Sequence, residues 1–474
     1  MAFSRRSFVQ AAVAGTAGSL AAGGLSGCAS TTGIADFTAS QKNGQLIEHA
    51  RSIPVREEDD VIVCGAGPAG VCAALAAART GARARLLEVN GCLGGVWTAG
   101  LLTWIFDFDK PGLPQQISQL LEKRGARRGT QRSMFAYDPE EMKVLLEEQC
   151  SDAGIKIRLR TRVVAAHLEK GHVAAVVTES SSGREAWRAP VFIDATGDGD
   201  LGALAGCRWD IGEPGTGNCQ PLTLNALAVV RDASRLTDYF SGDDLKGHVA
   251  ATQRIKAELH RAGIDPSYGM PTIFPIKGNV VLLMFNHEYG VKPYDADAMT
   301  AAALHARREV HDMVCALRGL GGAWDGLQLI SSAEQIGIRE GRRLHGRYTV
   351  TQDDLVQGKQ QPDAVTRVTF GVDIHALTRE KNVRETIGRG GVVRMRPYDI
   401  PLRALIAKDV DGLMMAGRCI SGDFVAHASY RVTGDAAAMG EAAGTVAALA
   451  ARTHRFPHEV PWADVENALR VLRS

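Results

Sequence analysis

Asp60-Val61-Ile62-Val63-Cys64-Gly65-Ala66-Gly67-Pro68-Ala69-Gly70 decides the fold. A short apolar run enters G-x-G-x-x-G, and an Ala-rich stretch from Val71 to Arg79 follows. That order reads as strand, tight turn and helix. Each glycine has its own task. Gly65 permits the turn, Gly67 lets the main chain approach a pyrophosphate, and Gly70 lets the helix pack close to the strand. The helix start offers N–H groups without intrahelical acceptors, and the positive end of its dipole, to phosphates. A second strand, Ala84 to Leu87, ends at Glu88, near the span of about 20 residues at which a carboxylate binds a ribose hydroxyl. A glycine turn alone is common. Strand, helix, second strand and acid in succession make this one a dinucleotide site.

The chain has 474 residues, enough for two or three domains with cores of their own. Its formal net charge of +1 gives no general attraction to nucleic acid, and basic–aromatic interleaving is absent. No apolar run in the body reaches the roughly 18 residues of a membrane span, and no fixed-period repeat is present.

The amino terminus carries a second signal. Ser4-Arg5-Arg6-Ser7-Phe8-Val9 precedes a weakly apolar Ala/Gly-rich stretch and then Leu25-Ser26-Gly27-Cys28. Residues 1–28 resemble a twin-arginine export signal ending in a bacterial lipobox, with Cys28 as the acylated first residue of the mature chain. Twin-arginine export carries folded cargo, which suits a protein loaded with its cofactor before crossing. The expected localisation is the bacterial cell envelope, on the periplasmic face and anchored to the membrane through lipidated Cys28. Residues 29–56 read as a polar tether. The other cysteines form no C-x-x-C pair, which excludes a zinc ribbon or a thioredoxin-like redox pair. Cys64 and Cys72 fall on apolar faces, and Cys92 reads as an inert thiol or a neighbour of the cofactor.

Along the body, Asp138-Pro139-Glu140-Glu141 opens a helix with an N-cap, Pro at N1 and acids in the first turn. Strands are expected at 155–159, 163–168, 173–178 and, just before His375, 368–372, and a buried strand, Val191 to Asp194, runs into Ala195-Thr196-Gly197. From 211 to 380 the character changes. Strand-like pieces at 222–230 and 280–286 flank a long helical stretch from Asp295 to about Leu320, which we read as an inserted substrate or cap domain. The chain then returns with a buried strand, Leu413 to Ala416, Gly417-Arg418, and a last Ala/Gly-rich helix from Thr433 to about Ala451. The expected organisation is a discontinuous dinucleotide domain, 57–210 and 381–474, around the insert.

These features, together with Leu93-Gly94-Gly95, Thr98, Asp194 to Asp200, Asp373-Ile374-His375, Tyr398 to Pro401 and Ala416 to Ser421, resemble the bacterial FAD-dependent oxidoreductase family. That family is distantly similar to the fumarate reductase and succinate dehydrogenase flavoproteins. The resemblance covers roughly 60–200 and 330–452. It implies an α/β protein with a Rossmann-like FAD-binding domain of glutathione-reductase type and an inserted α+β substrate domain. Carried over, Gly65, Gly67, Pro68, Ala69 and Gly70 would bind the pyrophosphate, and Glu88 the adenosine ribose. Val163 would hold adenine through its main chain. Gly94, Gly95 and Thr98 would line the flavin end, and Ala195, Thr196 and Gly197 would close over the pyrophosphate. Gly417 and Arg418 would reach phosphate or ribitol. The helix start, Thr433, Gly434, Asp435 and Ala436, would stabilise negative charge on reduced flavin.

His427-Ala428-Ser429-Tyr430-Arg431 resembles the His-Gly-x-Asn-Arg signature of fumarate reductases, departing from it at Ala428 and Tyr430. There the arginine holds a substrate carboxylate, a task suited to a bidentate, always-charged guanidinium. Arg431 is the expected substrate-orienting residue, and His427 and His375 the expected acid/base groups. Each also has a bland reading, as a core histidine or a structural ion pair. Arg339-Glu340 and Arg342-Arg343 read as salt bridges between domains, and Asp198-Gly199-Asp200 lacks the further ligands of a metal site. With one nucleotide motif and no haem or iron–sulfur spacing, electrons must come from or go to an external quinone, redox protein or small acceptor. The expected reaction is hydride transfer between a small-molecule polar substrate and flavin N5. A flavin-carrying electron-transfer or binding lipoprotein without its own substrate is the alternative.

Overall fold

The computed structural model describes residues 40–42, 45–48, 50–241, 245–384 and 393–473. The twin-arginine leader and lipobox lie outside the described residues. The chain forms two units, Met1–Ser52 and Ile53–Ser474. In the first, Ser40–Lys42 pairs antiparallel with Gln45–Ile47.

The second unit is built on a five-stranded sheet of β1 (Val61–Cys64), β2 (Ala84–Leu87), β3 (Lys156–Arg158), β4 (Val191–Asp194) and β5 (Leu413–Met415). The order is β5-β4-β1-β2-β3, and every pairing is parallel. Four of these strands are buried at every position, as in a sheet covered on both faces. Helix α1 (Pro68–Arg79) follows β1, and helix α2 (Thr433–Thr453) follows β5. Between β3 and β4 runs an antiparallel meander, Arg162–Glu169, His172–Ser180 and Gly183–Arg188. Val55–Glu58, at the end of the segment read as a tether, pairs parallel with its last strand.

Between β4 and β5 lies an antiparallel four-stranded sheet, in the order Thr272–Lys277, Val280–Met284, Ala226–Val229, Gln328–Ser332. Helices Leu245–Arg261 and Ala296–Gly319 share a separate hydrophobic cluster with it, through Ile255, Leu259, Val310, Met313, Phe285 and Trp324. Asp295 caps the longer helix, its side chain accepting from Ala298 N–H at 3.0 Å. Trp104 stacks on Phe274 with ring centroids 4.5 Å apart, which joins this segment to the rest.

One local expectation fails. The strand read at 368–372 stops at Val368. The Thr369 N–H and hydroxyl both donate to the Asp107 carboxylate, which draws the chain off its ladder and leaves Asp373 and His375 on irregular backbone. Among the described residues, no helix is long and apolar enough to cross a membrane.

Candidate active site

The carboxyl ends of the parallel strands converge on the glycine turn. Gly65 N–H donates to Leu87 O at 2.8 Å, Ala195 N–H to Cys64 O at 2.9 Å, and Ala416 N–H to Asp194 O at 3.0 Å. Gly65 takes φ +96°, and a Cβ there would lie 2.5 Å from Ala195 O. A Cβ on Gly70 would meet Gly65 O at 1.8 Å, whereas one on Gly67 would meet nothing within 4 Å. The third glycine therefore serves packing, and the second faces open space. Glu88, almost fully buried, accepts from Ala66 N–H at 2.6 Å and Asn90 N–H at 2.8 Å. Burial raises its pKa, and those N–H groups oppose the rise. Gly94 N–H donates to Ala66 O at 2.8 Å, seating Leu93-Gly94-Gly95 against the turn. Thr98 donates to Leu93 O, and Cys92 lies 3.6 Å from the Thr98 hydroxyl, its thiol pKa pushed up by burial.

Helices α1 and α2 run parallel and in contact. A Cβ on Gly440 would sit 2.0 Å from Ala69 O, and one on Gly444 2.0 Å from Ala73 O, so only glycine permits this approach. Both helix starts consequently open at the same end of the sheet, and neither has a side-chain cap. In α1 the first intrahelical bond is Val71 N–H to Gly67 O, which leaves Ala69 and Gly70 N–H as donors, since Pro68 has none. In α2 the Ala436 N–H is taken by Val432 O at 3.0 Å, so the donors without intrahelical acceptors are those of Thr433, Gly434 and Asp435. The Asp435 carboxyl is fully buried, with Lys110 Nζ 3.5 Å away, and burial, reinforced by Asp107, pushes its pKa far up.

A polar cluster gathers residues from six separate stretches of the chain. Arg431 Nη2 donates at 2.9 Å to both the carbonyl and the carboxylate of Asp373, and Asp373 Oδ2 lies 3.2 Å from His375 Nε2. The His375 main-chain N–H donates to Gln220 Oε1 at 3.0 Å. Tyr268 stacks on His287 at 3.9 Å between ring centroids, and His287 meets His375 edge-on at 5.1 Å. Arg339 Nη1 donates to Pro221 O at 2.6 Å and Thr223 Oγ1 at 2.8 Å. Burial and then the Arg339 charge bring His375 down to about 4, against the pull of Asp373. Burial would raise the Asp373 pKa, but His375, Arg431 and Arg339 outweigh it and hold the carboxylate ionised. His427 is fully buried beside Tyr430, and neither ring nitrogen has a hydrogen-bond partner. Burial, with Arg343 and Arg431, holds it well below the usual imidazole range, and the Arg418 main chain opposes this weakly.

A family model for FAD dependent oxidoreductases matches residues 60–469. The chain belongs to this family. Its cofactor is FAD, and it is an FAD-dependent enzyme. No curated protein matches. Among solved structures, a geranylgeranyl bacteriochlorophyll reductase-like protein from Thermoplasma acidophilum is 13% identical, with 88% of this chain and 83% of that chain covered and a TM-score of 0.45. The flavin-dependent halogenase CmlS is 11% identical, covering 88% and 62%, with a TM-score of 0.47. The flavin-dependent brominase Bmp2 is 12% identical, covering 88% and 83%, with a TM-score of 0.41.

The residues present fit FAD. Two uncapped helix starts suit its anionic and polar groups, a buried carboxylate stands beside the glycine turn, and Arg418 Nε is buried without a partner. Arg418 Nη2 also donates to Asp198 Oδ1 at 2.9 Å across Gly197, and Asp200 pairs with Arg342 at 2.9 Å. Val163 lies in the meander opposite Thr178. Of the arginines read as salt bridges between domains, Arg342 pairs with the distant Asp200, Arg343 pairs within its own segment with Glu340 at 2.9 Å, and Arg339 pairs with no carboxylate among the described residues. His287 and Tyr268 are residues of the cluster that sequence reasoning missed, and Arg339 was read there only as a salt bridge.

Proposed function

We propose an exported, lipid-anchored FAD oxidoreductase of glutathione-reductase type, which moves a hydride between a small polar substrate and its cofactor. The observation that carries this reading is the Arg431–Asp373–His375 chain, partly buried, with His287 edge-on to His375, and preceding the uncapped start of α2.

Bound FAD supplies a hydride acceptor or donor at N5. Gly67, Ala69 and Gly70 would hold its pyrophosphate, Glu88 its ribose and Val163 its adenine. Gly94, Gly95, Thr98, Gly417, Arg418 and Thr433 to Asp435 would surround the remainder. The insert 211–380 would cover the substrate. Arg431, fixed by Asp373, orients the substrate. His375 is neutral at neutral pH and its Nε2–H faces the Asp373 carboxylate, so Nδ1 can accept a proton from a substrate O–H or C–H. His427, also neutral and without a partner, is the second acid/base group. Electrons pass to or from an external quinone, redox protein or small acceptor.

The test is anaerobic bleaching of the yellow protein against carboxylic acids, amino acids and sugars. His375→Ala and His427→Ala should slow bleaching without releasing FAD. If no compound bleaches the protein, the substrate reading fails and the electron-carrier alternative takes its place. For the anchor, labelled palmitate should enter the wild type and not Cys28→Ser; equal labelling removes Cys28 from the proposal.

A further inference from the structure

The guanidiniums of this polar cluster outnumber its carboxylates. Arg431 is paired with Asp373, and Arg343 with Glu340. Arg339 has only the neutral oxygens of Pro221 and Thr223, and no carboxylate lies within 4.0 Å of it among the described residues. His375, His287 and His427 are all held neutral by burial and by neighbouring guanidiniums. One positive charge therefore stands uncompensated. Burial, followed by repulsion from Arg431, lowers Arg339 only to about 10, so it stays charged at neutral pH. A buried charge without a counter-ion is strongly unfavourable, and sites of this kind are completed by an anion.

Two more donors stand without partners around the same charge: Arg431 Nε and Gln220 Nε2, each buried. They belong to side chains already fixed at their other ends. Gln220 holds the His375 N–H, and Arg431 holds Asp373. Arg339, Asp373, His375 and Arg431 keep partial accessibility, so they border space that water can enter, which we read as one cavity. The rings of Tyr268, His287 and His375 pack on one another beside these groups and form its aromatic wall.

We infer that the substrate carries a carboxylate, and that Arg339 is its principal anchor, with Arg431 as second donor. The planar fork of a guanidinium matches the two oxygens of a carboxylate, and the aromatic wall accepts the carbon body. This rests on reading the cavity as the substrate site.

The test titrates the FAD-loaded protein with acetate, malonate and succinate, and in parallel with acetamide, malonamide and succinamide. The readouts are the visible difference spectrum and the thermal midpoint. At least one carboxylate should bind saturably and its amide should not. Arg339→Gln should weaken carboxylate binding about 10- to 100-fold, the loss of a charge-assisted hydrogen bond, while the surface variant Arg231→Gln binds as wild type. Equal binding of amide and acid overturns the inference, as does an Arg339→Gln protein that binds carboxylates normally. Chloride or phosphate binding as tightly as every carboxylate overturns the substrate assignment. If Arg339→Gln does not fold, the acid–amide contrast in the wild type decides. A neutral compound that bleaches the protein while carboxylates leave it unperturbed would sink this inference alone. Carboxylate binding without any bleaching would instead sink the oxidoreductase reading.

Discussion

Arg431 reaches Asp373 twice through one nitrogen, Nη2 lying 2.9 Å from both its carbonyl and its carboxylate. The carbonyl bond survives any change of side chain, so Asp373→Asn should fold. It removes the charge that steadies Arg431 and leaves one neutral amide oxygen as acceptor toward Arg431 and His375. We expect flavin reduction to slow about 10- to 100-fold, the worth of a hydrogen bond to a charged group at about 1.5–3 kcal/mol. Rapid-mixing measurement of anaerobic bleaching reads it directly, and an unchanged rate would remove Asp373 from the site.

Two glycines should respond in opposite ways to alanine. In Gly440→Ala the new Cβ would lie 2.0 Å from the Ala69 carbonyl, a backbone atom that cannot step aside. Overpacking of this kind costs about 1–3 kcal/mol, with a fall in Tm and loss of FAD. Gly67 has φ −68° and ψ −172°, open to any residue, and its Cβ would touch no protein atom within 4 Å. Gly67→Ala should leave apoprotein stability within about 0.5 kcal/mol and weaken FAD binding about tenfold or more. Tight FAD binding by Gly67→Ala would mean that the cradle lies elsewhere.

Much of the strand–turn–helix frame was legible because its determinants are local. The glycine turn, Glu88 and the Ala/Gly-rich last helix each announce themselves within a dozen or so residues, and β2 lies where the sequence placed it. The polar cluster was legible only in part. Arg431 and His375 stood out in the sequence and Arg339 was read as a salt bridge, whereas His287 and Tyr268 belong to no motif; only the tertiary fold brings them to His375. Helix Leu245–Arg261 did leave a signal, the four-residue spacing of Ala251, Ile255 and Leu259, obscured by the charged residues between them. The strand expected at 368–372 failed because Asp107, remote in sequence, captures Thr369.

Glu88 invites a graded test. Its carboxylate accepts from Ala66 and Asn90 N–H groups at 2.6 and 2.8 Å. Glu88→Gln keeps an acceptor for one of these and loses the charge, so FAD affinity should fall about tenfold with little change in Tm. Glu88→Ala leaves buried N–H groups unpaired and should cost about 1–3 kcal/mol of stability as well. Calorimetric titration with FAD separates the two effects, and equal affinities for wild type and both variants would rule out a ribose contact.

The pH profile carries the sign of the His375 shift. An ordinary imidazole gains its base form as pH rises through about 6.5. His375, at about 4, is already neutral well below that. Bleaching should therefore be level between about pH 5.5 and 8, and a rise centred near 6.5 would contradict this environment. For stability, the folded pKa lies below the unfolded one. The contribution is fully present above about 6.5 and is lost as pH falls from there toward 4. In His375→Gln that part of the acid sensitivity should disappear from Tm measured against pH.

The seating of Gly440 on Ala69 joins a helix that a ribosome makes early to one that it makes near the end of synthesis. Until the later helix emerges, the face of α1 around Ala69 and Ala73 on which it seats stays bare. Nascent chains of this protein should therefore depend on chaperones through most of their translation. Premature termination anywhere before α2 would yield aggregates rather than a smaller working enzyme.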